Sequence, residues 1–262
     1  MKQCVVLLGI LIPFIGTSLG AAFVFFLKER LSECVSKVLM GFASGVMMAA
    51  AVWSLLLPAI DLSADRGRLA FVPATAGFLA GVIFLLVLDR VVPHFHAETN
   101  QKEGPESHLQ KITMMIFAVT LHNIPEGMAV GVVFSNCLSA TAVVTLAEAF
   151  LLALGIAIQN IPEGAIISMP MKGAGKSRMR AFGCGVLSGV VEPVGAAVTI
   201  LLTKQIESLL AYLLAFAAGA MVYVIVEELV PESSGSENSD MGTIGFAIGF
   251  AVMMVLDVAF GG

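Results

Sequence analysis

Charged side chains are scarce in this chain. Asp, Glu, Lys and Arg make up 13% of its 262 residues, whereas about 25% is usual in a soluble domain. Hydrophobic residues make up 58%, and the mean hydropathy is +0.96. This balance excludes an ordinary soluble globular domain and indicates a polytopic membrane protein.

Cysteine motifs and hydrolase motifs are also missing. The four cysteines, Cys4, Cys34, Cys137 and Cys184, are scattered and form no CxxC pair. They offer neither a disulfide framework nor a thiolate cluster for a closed metal site, so we expect free thiols. The His-Glu-x-x-His signature of zinc hydrolases is absent as well.

What the chain has instead is a series of apolar runs of about 20 residues, the length that a bilayer core requires. We predict one all-α transmembrane domain over residues 1–262, with a polar, histidine-bearing loop at 91–111. The first run is longer than the apolar part of a signal peptide, so we count it as a span. The eight predicted spans are 5–27, 36–60, 70–90, 112–134, 141–169, 181–203, 208–230 and 242–260.

The distribution of basic residues predicts the orientation. The termini and the loops after even-numbered spans hold four Lys and Arg residues, Lys2, Arg66, Arg68 and Lys204. The loops after odd-numbered spans hold the other ten of the 14. Because basic loops stay in the cytoplasm, we expect both termini outside and the histidine-bearing loop inside.

Glycine pairs at i and i+4 recur in the predicted spans. Such pairs let two membrane helices approach closely, so they favour a tightly packed bundle. The pairs are Gly16/Gly20, Gly41/Gly45, Gly77/Gly81, Gly127/Gly131, Gly185/Gly189 and Gly245/Gly249.

One polar motif occurs twice inside apolar runs. Residues 122–127 read HNIPEG and residues 159–164 read QNIPEG. In each copy the first residue and the Glu are four apart, so they share a helix face, and the Asn lies within reach of that face. Pro125 and Pro162 each remove a backbone N–H, which predicts a kinked or opened turn before the Glu. Irregular backbone at membrane depth survives where it is buried or lines a cavity.

The motifs place carboxylates at membrane depth, and Glu192, beside Pro193, adds a third. Each costs at least about 2.5 kcal/mol to insert. They are either protonated carboxyls that bond to neighbouring helices or ligands of a cation. No Lys or Arg lies inside the three spans that carry Glu126, Glu163 and Glu192, so protons or metal ions must offset their charge. Imidazole, amide and carboxylate together suit zinc, iron, manganese or cadmium better than calcium.

Several other residues are weaker candidates. Met47 is either a soft thioether ligand or apolar filler. Asp61, after the second span, attracts cations to an entrance or simply caps a solvated helix end. His94, His96 and Glu228 lie near the predicted inner side, where they would line an exit or remain ordinary loop and headgroup residues.

These motifs resemble those of the ZIP family of divalent metal transporters, in its compact GufA-type branch. The resemblance rests on HNIPEG at 122–127, QNIPEG at 159–164, Glu192-Pro193 and the stretch 42–58, and it extends over nearly the whole chain. It implies eight transmembrane helices with inverted three-helix repeats around a central kinked pair. It also implies a transport bundle of spans 1, 4, 5 and 6 that slides against spans 2, 3, 7 and 8, and dimerisation is common among members.

By the same resemblance, the metal centre would be built by eight side chains, with Glu126 and Glu163 bridging two ions. Many members have His in place of Gln159 or Asp in place of Asn160. The implied ligands are His122, Asn123, Glu126, Gln159, Asn160, Glu163, Glu192 and Met47.

We therefore expect a transporter that imports Zn2+, or Cd2+, Fe2+ or Mn2+, through a bacterial inner membrane, with the lipid bilayer and divalent ions as partners and no nucleic acid. No large domain precedes the first span, which suits that location. Two alternatives stay open. A bound metal could activate water in an intramembrane hydrolase, or the bundle could sense metal without transporting it.

Overall fold

Each apolar run of the sequence forms a helix in the computed structural model. Among the residues that the structure describes, seven helices are long and apolar enough to cross a membrane. The helix at 111–137 is not among the seven, so eight crossings remain a prediction. The structure describes residues 2–26, 32–92, 94–95, 102–103, 111–139, 142–173, 175–205, 209–234 and 239–260.

The helix bounds lie within a few residues of the predicted spans. We number the helices α1 (Lys2–Phe26), α2 (Glu33–Asp61), α3 (Phe71–Val91), α4 (Lys111–Cys137), α5 (Leu146–Gly173), α6 (Arg178–Gly189 and Val191–Gln205), α7 (Leu210–Ser234) and α8 (Ser239–Phe260). A short 3-10 helix, Ala64–Leu69, follows α2. In the predicted loop, β1 (His94–Phe95) pairs antiparallel with β2 (Lys102–Glu103).

The prolines of the repeated motif do not open their helices. α4 continues through Pro125, and α5 continues through Pro162. Of the predicted kinked or opened turn, the opened form is therefore wrong for these helices, and the kink stays a prediction. A proline removes one intrahelical hydrogen bond. Close packing just beyond each proline, at Gly127 against α6 and at Gly164 against α1, holds the remaining turns in place.

Irregular turns occur instead in α2, α6 and α7. α2 contains a π-helical segment, Ala51–Leu56, and α7 contains another, Ile225–Leu229. α6 is interrupted between Gly189 and Val191. Pro193 explains that interruption, because it has no N–H to donate to the carbonyl of Gly189. The carboxylate-bearing residue Glu192 therefore lies in the first turn of the second half of α6.

The helices pack as two groups. The first helix group consists of α1, α4, α5 and α6, in which α1 packs on α5 and α4 packs on α6. The second helix group consists of α2, α3, α7 and α8, in which α2 packs on α8 and α3 packs on α7. The two groups meet chiefly where α5 contacts α2 and where α4 contacts α7.

All six predicted glycine pairs lie at helix crossings. In the first helix group, a Cβ at Gly16 would overlap the carbonyl of Ala157 in α5, and one at Gly131 would overlap the backbone of Ala196 in α6. The pairs of α2, α3 and α8 meet backbone atoms of the second helix group in the same way, and Gly185 and Gly189 meet α1 side chains. The close approach predicted from the sequence is confirmed, because there is no room for a methyl group at these crossings.

Side chains also fix the connection between α4 and α5. Asn136 Oδ1 accepts hydrogen bonds from the backbone N–H groups of Val143 and Val144, at 3.2 and 3.0 Å. Thr145 and Glu148 form a capping box at the start of α5, in which each side chain accepts from the other residue's N–H. Glu148 is therefore a capping residue.

Candidate metal site

Seven of the eight predicted ligands converge in a buried polar cluster inside the first helix group. His122, Asn123 and Glu126 come from α4, Gln159, Asn160 and Glu163 from α5, and Glu192 from α6. All seven are buried, and Glu163, the carboxylate on α5, is only 3% exposed. We call this set the acid–amide cluster. None of its members is exposed at the surface of the bundle.

Direct hydrogen bonds join the two copies of the motif. Gln159 Nε2 donates to Glu126 Oε1 at 2.7 Å. Asn123 Nδ2 donates to the backbone carbonyl of Ser188 in α6, at 3.0 Å. The N–H groups of these two amides therefore bond to a carboxylate and to a backbone carbonyl, and the amide oxygens have no hydrogen-bond partner.

A threonine of α1 closes the cluster on another side. Thr17 Oγ1 donates to Glu192 Oε1 at 2.6 Å and accepts from Asn160 Nδ2 at 3.2 Å. Three helices thus meet in one chain of hydrogen bonds. Thr17 was not among the predicted site residues, although it is a polar residue in an apolar run and lies between Gly16 and Gly20.

A buried pair joins the cluster to the second helix group. His122 Nε2 contacts Glu228 Oε2 of α7. Glu228 belongs to the π-helical turn of α7 and is buried. Such turns are frequent at functional sites, because the extra residue reorients neighbouring side chains. The residue predicted as a weaker exit group is therefore in contact with the cluster.

Six buried oxygen atoms of the cluster have no hydrogen-bond partner. Buried polar atoms are nearly always paired, so several unpaired oxygens in one place call for an explanation. They come from six different side chains, three carboxylates and three amides. The atoms are Asn123 Oδ1, Glu126 Oε2, Gln159 Oε1, Asn160 Oδ1, Glu163 Oε2 and Glu192 Oε2.

The charges of the cluster are not balanced by basic side chains. Glu126, Glu192 and Glu228 all act electrostatically on Glu163. Among the side chains whose burial the structure describes, Lys37 is the one Lys or Arg residue that is buried. It pairs with Glu33, one turn earlier in α2. Buried charges without partners are costly. The arrangement therefore favours a cation or protons among these acids.

Within the described part of the chain, no three His, Cys, Asp or Glu side chains are already drawn together tightly enough to hold an ion. Each of two carboxylates directs one oxygen to a hydrogen-bond donor, Glu126 to Gln159 and Glu192 to Thr17. An ion would bind the carboxylate and amide oxygens that take no part in these hydrogen bonds.

The other predicted residues are placed differently. Met47 is fully buried and belongs to the large apolar core. Asp61 is exposed at the end of α2. The backbone of His94 pairs with that of Glu103 in the two-stranded ribbon. His96 lies outside the described residues. Roles for these four residues in metal binding stay predictions.

Long apolar helices that enclose a buried, acid-rich cluster define an integral membrane protein. A family model described as "ZIP Zinc transporter" matches residues 111–257. Zinc transporter GufA of Myxococcus xanthus is 35% identical, with 94% of this chain and 95% of that protein covered. Zinc transporter ZIP11 of Homo sapiens is 34% identical, with 97% of each chain covered. Zinc transporter ZIPB of Bordetella bronchiseptica is 34% identical, with 95% of this chain and 79% of that protein covered.

The chain therefore belongs to the ZIP family of zinc transporters, which confirms the resemblance found in the sequence. Members of this family are transporters rather than enzymes. Membership therefore removes the hydrolase alternative.

Proposed function

We propose that this chain carries zinc across the membrane into the cytoplasm, with the acid–amide cluster as the transient binding place of the ion. The observation that carries the proposal is the set of six unpaired buried oxygens. A divalent cation pairs such oxygens and offsets carboxylate charge at the same time. The imidazole of His122 adds a nitrogen ligand, and a mixed nitrogen and oxygen set suits zinc.

The direction of transport follows from the predicted orientation. With both termini outside, α4 would run from the cytoplasmic side outwards, and the ribbon that precedes it would face the cytoplasm. The His122–Glu228 pair lies on the side of the cluster that is nearer the start of α4. An ion that leaves the cluster past this pair would be moving inwards, towards the predicted histidine-bearing loop.

The two helix groups suggest how the cluster alternates between the two sides. Where a Cβ on a glycine would overlap backbone of another helix, the two helices belong to the same group, as at Gly20 with α5 and Gly81 with α7. Between groups, a Cβ at Gly155 would instead meet side-chain atoms of Met253 and Val46. Helices that interlock through backbone move together, whereas a boundary of flexible side chains can slide.

The boundary between the groups is apolar and contains a small cavity. The cavity has a volume of about 10 Å³ and is lined by residues of α2, α5 and α8. The acid–amide cluster belongs entirely to the first helix group. Among the described residues, the His122–Glu228 contact joins it to the second group, from which Glu228 and Glu232 also act electrostatically on Glu163. We therefore propose an elevator motion, in which the first helix group carries the ion past the second. We also propose that the chain crosses the membrane eight times, contains inverted three-helix repeats and forms a homodimer.

Uptake of radioactive zinc into proteoliposomes tests the function. The full chain should accumulate zinc, and Glu126→Ala and Glu163→Ala should reduce uptake to near background, because each removes a buried oxygen ligand. Glu227→Ala is a matched control, since it removes an exposed carboxylate next to Glu228. Uptake by Glu126→Ala equal to that of the wild type would defeat the proposal. Zinc binding without uptake by the wild type would favour the sensor alternative.

A further inference from the structure

Thr17 lies where three helices of the first helix group meet. Its side chain is fully buried. Its hydroxyl has a single proton, and two acceptors are within reach, Glu192 Oε1 at 2.6 Å and the carbonyl of Pro13 at 3.5 Å. The carboxylate is much the nearer, and hydrogen bonds to ionised acceptors are the stronger kind. The proton therefore goes to Glu192, and the lone pairs of the hydroxyl are left to accept from Asn160.

This direction of hydrogen bonding determines which atoms the two neighbours present. An Asn side chain has a donor end and an acceptor end. Asn160 donates to Thr17 through Nδ2, so its Oδ1 is the end that is buried without a hydrogen-bond partner. Glu192 accepts from Thr17 through Oε1, and its Oε2 is also buried without a hydrogen-bond partner. The hydroxyl thus acts on the orientation of one oxygen on each of two helices, together with the carboxylates of Glu126 and Glu192 that also interact with the Asn160 amide.

Both neighbouring helices, α5 and α6, pack closely against Thr17. A Cβ at Gly164 of α5 would overlap the carbonyl oxygen of Thr17. A Cβ at Gly189 of α6 would lie 3.0 Å from the Cβ and Cγ2 of Thr17 and 3.2 Å from Glu192 Oε1. Contacts of 3.0–3.4 Å are tighter than most Cβ contacts. The position of the hydroxyl is therefore determined by packing from two sides.

We propose that Thr17 is a positioning residue of the metal site, whose hydroxyl turns Asn160 and Glu192 so that Asn160 Oδ1 and Glu192 Oε2 face the ion. The proposal rests on the proposed function, because it concerns the same site. Thr17 does not touch the ion. The amide of Asn160 also lies within hydrogen-bonding reach of the carboxylates of Glu126 and Glu192. Without the Thr17 hydroxyl, those carboxylates would be its remaining acceptors, and the N–H groups would turn towards the ion site, where they repel a cation.

The test compares variants of the full chain that differ in this hydroxyl. Thr17→Val keeps the shape and removes the hydroxyl, and Thr17→Ser keeps the hydroxyl and removes a methyl group. Thr120→Val is the matched control, because the Thr120 hydroxyl bonds to the carbonyl of Ile116 within its own helix, at 2.7 Å. Two quantities are measured with zinc alone: the Kd of the purified protein by calorimetry, and the KM and maximal rate of uptake into proteoliposomes.

We expect Thr17→Val to raise both Kd and KM about tenfold, the usual consequence of losing a hydrogen bond to a charged group. Thr17→Ser should restore values within about threefold of the wild type, and Thr120→Val should match it. An unchanged Kd in Thr17→Val would overturn the proposal. So would a Thr17→Ser variant as impaired as Thr17→Val, since the methyl group would then be what matters.

Two further comparisons separate the remaining outcomes. If Thr17→Val does not yield monodisperse protein, Thr17→Ala against Thr17→Ser makes the same comparison, because these two differ only in the hydroxyl. If the wild type binds zinc but takes up no more than Glu126→Ala, the proposed function fails while the Kd values still decide the role of Thr17. A wild type that binds no zinc would overturn both.

Discussion

Substitution of Gly127 by Ala should separate α4 from α6 at the level of the acid–amide cluster. Gly127 follows Glu126 directly, and a Cβ on it would overlap the backbone carbonyl oxygen of Glu192 and approach its Cα at 2.8 Å. The obstacle is backbone, so no rotation of a side chain can relieve the overlap. The helices themselves must move, and the carboxylates of Glu126 and Glu192 move apart with them.

The cost follows from the size of that displacement. Insertion of one extra carbon into a well-packed interior typically costs about 1–3 kcal/mol. In a protein of this size each kcal/mol lowers the Tm by roughly 2–4 °C, so we expect a loss of about 2–12 °C. Replacement of a helical glycine by alanine would, by itself, have favoured the helix by about 0.5–1 kcal/mol. A helical glycine in open space would make the same gain, so the loss of about 2–12 °C is expected relative to alanine at such a position.

Gly183 provides the matched control for this substitution. It lies in α6, is exposed, and has nothing within 4 Å of an added Cβ. Gly183→Ala should therefore leave the Tm of the purified protein unchanged or slightly higher, with a normal Kd for zinc. Gly127→Ala should lower the Tm and weaken zinc binding as well. Equal Tm and Kd in the two variants would refute the reasoning, since it would show that the α4–α6 crossing has room for a methyl group.

Two further predictions concern the capping box and the ion. Thr145→Ala removes a capping side chain of α5, so stability should fall by about 1 kcal/mol and the Tm by roughly 2–4 °C, with an unchanged KM for zinc; an unchanged Tm would show that the cap contributes nothing. Zinc at 100 times its Kd should stabilise the wild type by about 2.7 kcal/mol, because it binds only the folded state. That shift in Tm should disappear with a chelator and in Glu126→Ala; an equal shift in Glu126→Ala would place the ion elsewhere.

Much of the site is predictable because its chemistry is local. Glu126 and Glu163 stand out because a carboxylate inside an apolar run is expensive. His122 and Gln159 follow from the four-residue spacing on a helix face. The structure brings these residues together with Glu192. What the sequence does not show is which oxygens stay unpaired, since that depends on partners in other helices, such as the Thr17 hydroxyl that donates to Glu192 and the Ser188 carbonyl that accepts from Asn123.

The prolines illustrate where a local rule fails. Pro125 and Pro162 were expected to kink or open their helices, and α4 and α5 continue through them without an opened turn. Pro193 does coincide with an interruption, between Gly189 and Val191. The same residue type has different outcomes because packing against a neighbouring helix can hold a turn that has lost one hydrogen bond.

The sequence by itself determined the class of protein, the approximate helix bounds and the chemical types gathered in the cluster. These depend on the length of apolar runs and on residue spacing within one helix, and both are local properties. The tertiary structure alone decided which helix each glycine pair meets, how Thr17 joins Asn160 to Glu192, and that Glu228 reaches His122. Those contacts join segments far apart in the chain, and they depend on how each helix is rotated against its neighbours, which no single segment specifies.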